Sequence, residues 1–202
     1  MAAEGLYIFE GYDGAGKSTL IRKIRGLLAN TSVRVVGRKS EPELMQISNI
    51  IERPEPPLSH GADLLLRLAL EIERVELVHR CQREADLVFM DRGPISLEAW
   101  VSYYNLDRVK YGLIFDQIES SLNGATIFLC TCSFETCWKR ICEKPNKSNK
   151  ELLGEAINGE WYQRYMRAAE AFKTRREFRL VQVDTEHNIT QSEEHAMKYL
   201  PT

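Results

Sequence analysis

One short segment constrains the fold of this chain more than any other, the stretch Gly11-Tyr-Asp-Gly-Ala-Gly-Lys-Ser18. It fits the pattern GxxxxGK[ST] and lies between an apolar run at 6–9 and an amphipathic run at 20–28. In such a strand–loop–helix unit, glycines let backbone N–H groups converge on one point, toward which the helix directs its positive dipole end. The segment therefore predicts a loop that binds the phosphates of a nucleoside triphosphate, with Lys17 neutralising the β- and γ-phosphates and Ser18 holding Mg²⁺.

The composition is typical of an enzyme with a single domain over 1–202. The chain has 202 residues, of which 44% are hydrophobic, with 27 basic and 29 acidic residues. The near-neutral charge argues against a general nucleic-acid binder, although it leaves nucleic acid open as an acceptor. No stretch approaches the length of a membrane span, and the first predicted strand begins near residue 6. We therefore expect a cytoplasmic protein without a membrane partner.

Four of the five cysteines fall close together and raise the question of a zinc site: Cys130, Cys132, Cys137 and Cys142. Their spacing lacks the CxxC knuckles of structural zinc sites. The first two end a strand-like run, and the other two lie on a predicted helix. We expect reduced, partly buried thiols instead.

Strand-like and helical patterns alternate along the whole chain. Short, continuous apolar runs predict strands at 6–9, 33–36, 87–90, 126–130 and 180–183. Helical periodicity lies between them, at 17–29, 63–83, 107–122, 134–143 and 152–176, and a last helix opens with the capping-box pattern Thr190-Gln-Ser-Glu193. The alternation predicts an α/β fold, a five-stranded parallel sheet with helices on both faces and ligands at the carboxyl ends of the strands. The proline-rich segment 53–57 and the lysine-rich segment 144–150 are predicted to be mobile.

The third predicted strand ends in Asp91, followed by Arg92. An apolar strand that finishes in Asp can deliver a carboxylate beside the phosphates, where it orders Mg²⁺ or its water ligands. The guanidinium of Arg92, at the same edge, is suited to bind a phosphate bidentately. The alternative is a surface Asp–Arg pair worth less than about 1 kcal/mol. Together with the phosphate loop, the pair indicates catalysis.

The segment 9–19, Phe-Glu-Gly-Tyr-Asp-Gly-Ala-Gly-Lys-Ser-Thr, resembles the opening of the thymidylate kinases. Asp91-Arg92 with Ser96 and Ala99 matches spacings of that family, and so does Glu41-Pro42 after the second strand. Arg74 falls where the family has a base-contacting arginine, and 133–140 is similar to the segment that leads into its lid. The resemblance runs from about residue 5 to 190. It implies a P-loop kinase fold with a small lid at about 144–151, and a homodimer as in that family.

The resemblance also implies the composition of the site. Catalysis would rest on Lys17, Asp91 and Arg92, and Mg²⁺ on Ser18 and Asp91. The ATP site would comprise Gly11, Asp13, Gly14, Ala15, Gly16, Lys17, Ser18, Thr19, Arg140 and Thr185. The site of the nucleotide-like acceptor would comprise Asp13, Glu41, Arg74, Arg92, Ser96 and Trp100. For Asp13, a role near the acceptor sugar hydroxyl competes with that of a turn residue which binds local N–H groups.

The departures from the family concern the base of the acceptor. The family's DRY triplet ends in Gly93 here, its thymine-stacking aromatic falls at Leu70, and its base-binding Gln falls at Val101. A lost stacking ring costs about 1–3 kcal/mol, and a lost hydrogen bond a similar amount. Trp100, Tyr103 and Tyr104 could supply another platform, although aromatics at this spacing are more often core residues. We therefore expect a different or modified nucleotide, or a nucleotide-like metabolite.

Three residues of the second long predicted helix, Arg67, Glu71 and Arg74, share one face. They form either a solvated stripe with weak pairs or a polar wall over the acceptor site, in which Glu71 orients the arginines. The proposed chemistry is direct in-line phosphoryl transfer without a phosphoenzyme. The phosphate loop offers no second cation, so Lys147 or Lys150 from the lid is expected to assist the transfer.

Three other functions would each require different features of the sequence. A nucleoside or polynucleotide 5′-hydroxyl kinase would use the same loop, with Asp91 as a base toward a hydroxyl, and it is the principal alternative. A GTPase switch would need an NKxD-like base reader, but the segment 146–149 lacks the Asp and follows a helix. An interaction protein that binds ATP without turnover fits poorly with the retained Lys17, Ser18, Asp91 and Arg92.

Overall fold

The structure, a computed structural model, describes residues 5–53 and 58–201. Most of the predicted proline-rich segment 53–57 therefore lies outside the described residues. Within them, one parallel sheet has the strand order β2-β3-β1-β4-β5. The strands are β1 (Leu6–Glu10), β2 (Val33–Val36), β3 (Leu87–Asp91), β4 (Thr126–Thr131) and β5 (Arg179–Asp184). The predicted five-stranded parallel sheet is confirmed, with each strand within one or two residues of its expected bounds.

Helices connect the strands and cover the sheet. They are α1 (Lys17–Leu27), α2 (Pro42–Ile51), α3 (His60–Gln82), α4 (Pro94–Tyr103), α5 (Gly112–Ser121), α6 (Phe134–Cys142), α7 (Glu155–Phe172) and α8 (Ile189–Met197). The sequence patterns did not predict α2 and α4, both of which begin with proline at the first turn. In α4 most side chains are buried, so the helix lacks the one-sided apolar stripe by which helices are recognised.

Several predicted helix bounds need correction. The helix expected over 63–83 begins earlier, at His60, and the one expected over 152–176 is a 3₁₀ turn, Glu151–Leu153, followed by α7, Glu155–Phe172. The helix expected over 107–122 begins with a separate 3₁₀ turn, Val109–Tyr111, and α5 proper starts at Gly112. The last helix is capped by Asn188, whose side chain accepts a hydrogen bond from the Thr190 amide at 2.9 Å. Thr190 is therefore inside the helix and is not its cap. An Asx cap two residues earlier satisfies the same orphan amides.

The centre of the core is a set of aromatic rings on the three middle strands. The Phe9 ring lies 5.1 Å from that of Phe89 and 5.2 Å from that of Phe128, and all three side chains are fully buried. Every residue of β1 is buried, because the strand is flanked by β3 and β4 and covered on both faces. The most buried strand of the sheet is thus the one that leads into the phosphate loop.

The sheet register sets the position of the site. Phe9 pairs with Asp91, so β1 and β3 end side by side. Glu10 pairs with Leu129, which brings the end of β4 to the same edge.

Among the described helices none is long and apolar enough to cross a membrane. Of the clustered thiols, Cys130, Cys132 and Cys137 are buried and Cys142 is exposed.

Candidate active site

The loop between β1 and α1 has a shape that only glycine permits. Gly11, Gly14 and Gly16 have φ of 152, 80 and 82°. A Cβ on Gly14 would lie 2.4 Å from the Cys137 carbonyl oxygen, and one on Gly11 would lie 2.6 Å from that of Cys130. The loop is therefore pressed against the end of β4 and against α6. The first turn of α1 has no side-chain cap, which leaves its amides free for an anion.

Lys17 lies inside this loop. Its Nζ donates to the carbonyl oxygens of Gly11 at 2.7 Å and Tyr12 at 2.9 Å, and the side chain is buried. The pKa of Lys17 is lowered to about 8, first by burial and then by the nearby Arg92, although Asp13 acts in the opposite direction. The amine is thus held at the phosphate loop by neutral carbonyls, which an incoming phosphate can replace.

Asp91 ends β3 beside the loop, as predicted. Its Oδ1 is buried and has no hydrogen-bond partner among the described residues. Buried carboxylate oxygens are almost always satisfied, and an oxygen without a donor is suited to a cation or its water ligands. Ser18 and Asp91 line the same cleft. The residues present therefore fit the Mg²⁺ that the sequence implies.

A cleft of about 480 Å³ opens above the loop. Ten of the predicted residues line it: Asp13, Gly14, Gly16, Lys17, Ser18, Thr19, Asp91, Arg92, Arg140 and Thr185. Two more, Gly11 and Ala15, are buried within the loop itself. The sequence analysis missed three lining residues, Lys144, His187 and Ile189. Lys144 belongs to the predicted lid, whereas the other two carry no motif of their own.

Arg140 and Thr185 hold the far side of the loop. Arg140 donates from Nη1 to the Gly14 carbonyl oxygen at 3.2 Å and from Nη2 to that of Thr185 at 2.8 Å. The Thr185 hydroxyl donates to the Ala15 carbonyl oxygen at 2.9 Å. These contacts connect α6 and the segment after β5 to the loop. They place both residues at the predicted nucleotide end of the cleft.

Arg92 and Asp13 form an ion pair at the other end of the cleft. The Arg92 Nη2 contacts Asp13 Oδ1, and its Nη1 donates to the Ser96 hydroxyl at 3.3 Å. The ammonium of Lys150 contacts the second Asp13 oxygen and lies 4.5 Å from the centre of the Tyr12 ring. Burial alone would raise the pKa of Asp13, but Arg92, Lys150 and Lys17 hold it well below its usual value. Asp13 is thus ionised, and it connects Arg92, which follows β3, with Lys150 of the predicted lid.

The other predicted acceptor residues are arranged differently. Arg74 is fully buried, and both its terminal nitrogens donate to protein oxygens. The Ser96 hydroxyl donates to Glu10 at 2.6 Å and its amide at 3.0 Å, so Ser96 anchors the start of α4. Glu41 is not brought to the cleft, because it lines a separate groove beside β2. Trp100 is 7% exposed, and the Arg67 guanidinium lies 4.6 Å from its ring centre.

The sequence analysis missed Arg38, which follows β2 at the carboxyl edge of the sheet. Its Nε is buried without a partner among the described residues, and its Nη2 lies 3.9 Å from Glu71 Oε1. Burial lowers the pKa of Arg38 to about 10, and Arg67, Arg92 and Arg74 also act in this direction, whereas Glu71 raises it. The rule that ligands bind at the carboxyl ends of parallel strands would have found this residue.

The three positions that depart from the expected thymine pocket are tightly packed in the structure. Leu70 is 1% exposed and Val101 4% exposed, and both belong to the hydrophobic core. At Gly93 a Cβ would lie 2.9 Å from the Ile8 Cγ2. A side chain at that position would thus require a shift of the core beneath it. The three positions contribute packing in this conformation and no polar group for a base.

Comparisons with known proteins agree with this fold. The sequence profile of the thymidylate kinase family matches residues 9–196. Among solved structures, the thymidylate kinase of Candida albicans is similar, with a TM-score of 0.69 and 20% identity over 96% of this chain and 90% of that one. No significant match was found among curated protein sequences. The chain therefore belongs to the thymidylate kinase family, and it is a P-loop kinase that transfers phosphoryl groups to nucleotides.

Proposed function

We propose that the enzyme transfers the γ-phosphoryl group of ATP, bound with Mg²⁺, to the phosphate of a nucleoside monophosphate. The observation that carries this proposal is the position of Arg92, a fork of donors beside Asp91 in the same cleft as the phosphate loop. Guanidinium groups bind phosphates bidentately and gain less from a neutral hydroxyl. Arg38 adds a second guanidinium with an unsatisfied Nε on the β2 side.

The residues of the cleft would have separate roles in an in-line transfer. The amides of the loop and of the first turn of α1 would bind the ATP phosphates, and Lys17 would exchange its two carbonyl partners for phosphate oxygens. Mg²⁺, held by Ser18 and Asp91, would neutralise charge on those oxygens. Arg92 would hold the acceptor phosphate in line. Such transfer depends on position and charge more than on covalent chemistry.

The segment 144–151 is proposed as the lid, with Lys150 as the cation that assists transfer. Lys150 contacts Asp13 within the site, whereas the Lys147 ammonium donates to the Lys144 carbonyl oxygen at 3.3 Å. The Asn149 amide group donates to the Glu52 carbonyl oxygen at 2.5 Å, which joins this segment to the end of α2. A segment that bridges the cleft in this way can exclude water.

A 5′-hydroxyl kinase remains the second candidate, because the free Oδ1 of Asp91 could serve as a base toward a hydroxyl. Asp13 is unsuited to that role, since three cations keep its pKa low. The arginines around the acceptor end favour the monophosphate. A homodimer and a cytoplasmic location, both expected from the sequence, stay predictions.

A coupled assay of ADP release separates the two candidates. It would compare nucleosides, nucleoside monophosphates and short oligonucleotides with free 5′-hydroxyls under the same conditions. We expect the monophosphates to have the higher kcat/KM. If nucleosides or oligonucleotides exceed them, the hydroxyl kinase replaces the proposed function.

We further propose an altered base pocket, so that a nucleotide other than dTMP is accepted. The burial of Leu70 and Val101 and the absence of a side chain at Gly93 support this. The similar Candida albicans enzyme is itself described as having broad substrate specificity.

A further inference from the structure

Arg74 differs from the other arginines of the site because none of its side chain reaches solvent. Its Nη1 donates to both carboxylate oxygens of Glu71, at 2.8 and 2.7 Å. Its Nη2 donates to the carbonyl oxygens of Asp91 at 2.6 Å and Arg92 at 2.8 Å. Both terminal nitrogens are therefore engaged inside the protein, and neither is available to an acceptor base. The remaining donor, Nε, is buried without a partner among the described residues.

The two carbonyl groups belong to the peptide units on either side of the Arg92 Cα. One nitrogen that binds both oxygens consequently fixes the backbone rotation at Arg92. That rotation has φ 67°, in the left-handed region that residues with a Cβ seldom adopt. The flanking amides are also held, that of Arg92 by the Phe9 carbonyl oxygen at 2.9 Å and that of Gly93 by Glu10 at 2.8 Å. The disfavoured conformation is thus stabilised from both sides of the turn.

The backbone conformation decides where the guanidinium of Arg92 can lie. With φ at 67°, the side chain reaches Asp13, the Ser96 hydroxyl and the Gly11 carbonyl oxygen. If the backbone relaxed to negative φ, the Cα–Cβ bond would point elsewhere and these contacts would be lost. The position of the phosphate-binding fork therefore depends on the two bonds from Arg74.

Glu71 connects this arrangement to the second arginine of the acceptor end. Its carboxylate accepts from Arg74 and also lies 3.9 Å from the Arg38 Nη2. A single buried carboxylate thus lies between Arg38, which follows β2, and Arg74, which holds the turn after β3. The Glu71–Arg74 pair thereby connects the ends of β2 and β3, after which the acceptor-side guanidinium groups follow.

We propose that Arg74 is a positioning residue which, together with Glu71, holds Arg92 in its phosphate-binding conformation and does not contact the base of the acceptor. This inference rests on the proposed function, in which Arg92 binds the acceptor phosphate. It predicts that loss of Arg74 harms all monophosphates alike. A base-contacting arginine would instead affect one base and spare the others.

The test compares Arg74→Lys and Arg74→Met with the parent on every monophosphate that the parent accepts. A displaced Arg92 should lower kcat/KM by about 100-fold for each acceptor, with the ratios between bases unchanged within about threefold. The KM for MgATP should stay near that of the parent, because the phosphate loop is untouched. A loss confined to one base overturns the proposal.

A double variant separates positioning from simple charge compensation. Glu71→Leu with Arg74→Met removes both members of the buried pair, so neither leaves the other uncompensated. Arg38 still loses its carboxylate, so the melting temperature should lie between those of Arg74→Met and the parent. Its activity should remain low, because the carbonyls of Asp91 and Arg92 still lack their donor. Recovery of parental activity overturns the proposal. Glu71→Leu alone takes the carboxylate from both Arg38 and Arg74 but keeps the two carbonyl bonds of Arg74, so it measures the loss of the carboxylate by itself. Arg83→Met, an exposed arginine just after α3, is the matched control.

Two further measurements, the base ratios of Arg74→Lys and amide hydrogen exchange, test the proposal even if one variant does not fold. If the double variant does not fold, the base ratios of Arg74→Lys decide, since lysine keeps the charge but cannot bind Glu71 and two carbonyls with separate nitrogens. Hydrogen exchange at the Arg92 and Gly93 amides should accelerate in the Arg74 variants and not in Arg83→Met. Unchanged exchange overturns the proposal whatever the substrate is. The acceptor profile of the parent, taken in the same assay, tests the proposed function separately.

Discussion

Several buried polar groups of the site lack a partner that such groups usually have. The Oδ1 of Asp91 and the Nε atoms of Arg38 and Arg74 are buried without partners among the described residues. Lys17 is buried against two carbonyl oxygens with no direct carboxylate bond. Polar groups left in this state cost free energy, about 1–3 kcal/mol each, unless a ligand satisfies them. Their common location at the carboxyl edge of the sheet is what marks the cleft as a binding site.

Lys17→Ala should remove nearly all turnover and leave the fold intact, because this amine is the loop's own cation toward the phosphates. Loss of such a charge-stabilising donor typically costs about 10²–10³ in kcat. Steady-state kinetics and circular dichroism of the parent and variant would check this. Activity within about tenfold of the parent would contradict the assigned role.

Nucleotide binding should weaken above pH 8 because the pKa of Lys17 is lowered to about 8 in the free enzyme. Phosphates bind the protonated amine, so at higher pH binding must take up a proton, and affinity falls by up to about tenfold per pH unit. Below pH 8 this dependence disappears. Titration calorimetry with MgADP in buffers of different ionisation enthalpy would measure the uptake. The Lys17→Ala variant should show none, and a parent without uptake at pH 8.5 would refute the prediction.

Two glycines, one in the phosphate loop and one in the last turn of α1, should respond to alanine in opposite directions. Gly14→Ala adds a Cβ 2.4 Å from a backbone oxygen at φ 80°, which should destabilise the protein by about 2–4 kcal/mol. Gly26 lies inside α1 with nothing within 4 Å of its added Cβ, so Gly26→Ala should stabilise it by about 0.5–1 kcal/mol. Urea unfolding of both variants gives the comparison. Equal effects would show that α6 does not confine the loop.

At the scale of elements, predictability followed the strength of the local pattern. The strands were predictable because parallel strands buried on both faces form continuous apolar runs. α4 was not, because it is buried on most sides, and α2 was missed although its proline suits a first helical turn. The phosphate loop and Asp91 were found from motifs, whereas the roles of Arg38, Arg74 and Glu71 depend on which helix face meets which strand end. That information is tertiary, and no single segment of the sequence contains it.

The two candidate lysines of the proposed lid should behave differently. Lys150 contacts Asp13, whereas the hydrogen bond of the Lys147 ammonium within the described residues goes to a carbonyl of its own segment. Lys150→Ala should therefore lower kcat by about 10², and Lys147→Ala serves as the matched control with activity near that of the parent. Single-turnover kinetics would distinguish a defect in transfer from slow product release. Similar losses in both variants would contradict the assignment of Lys150.

The whole molecule explains why the acceptor's phosphate is easier to infer than its base. Strand order and register bring the ends of β1, β2 and β3 to one edge, and this suffices to gather Lys17, Arg38, Asp91 and Arg92. The base would lie farther out, among α3 and α4, where helix packing sets the surroundings. There Trp100, Tyr103, Tyr104 and Trp161 form one aromatic cluster, with Tyr103 stacked 3.7 Å from Trp161. Such packing is not encoded in a local motif.

The choice of base tests this account of the pocket. Leu70 and Val101 lie in the core, at the positions where the resemblance implies a stacking ring and an amide, and Arg74 is held by Glu71 and the turn after β3. A missing ring costs about 1–3 kcal/mol and a missing hydrogen bond a similar amount, so discrimination for thymine should shrink by orders of magnitude.

We expect dTMP to have a kcat/KM within about tenfold of other common monophosphates, since the core residues at these positions offer no group that selects thymine. Measurements with dTMP, dUMP, dCMP, dAMP and dGMP in one assay decide the matter, and the pair dTMP and dUMP isolates the effect of the methyl group. A preference for dTMP of about a thousandfold corresponds to about 4 kcal/mol. Selectivity of that size would require thymine contacts from groups outside the buried set.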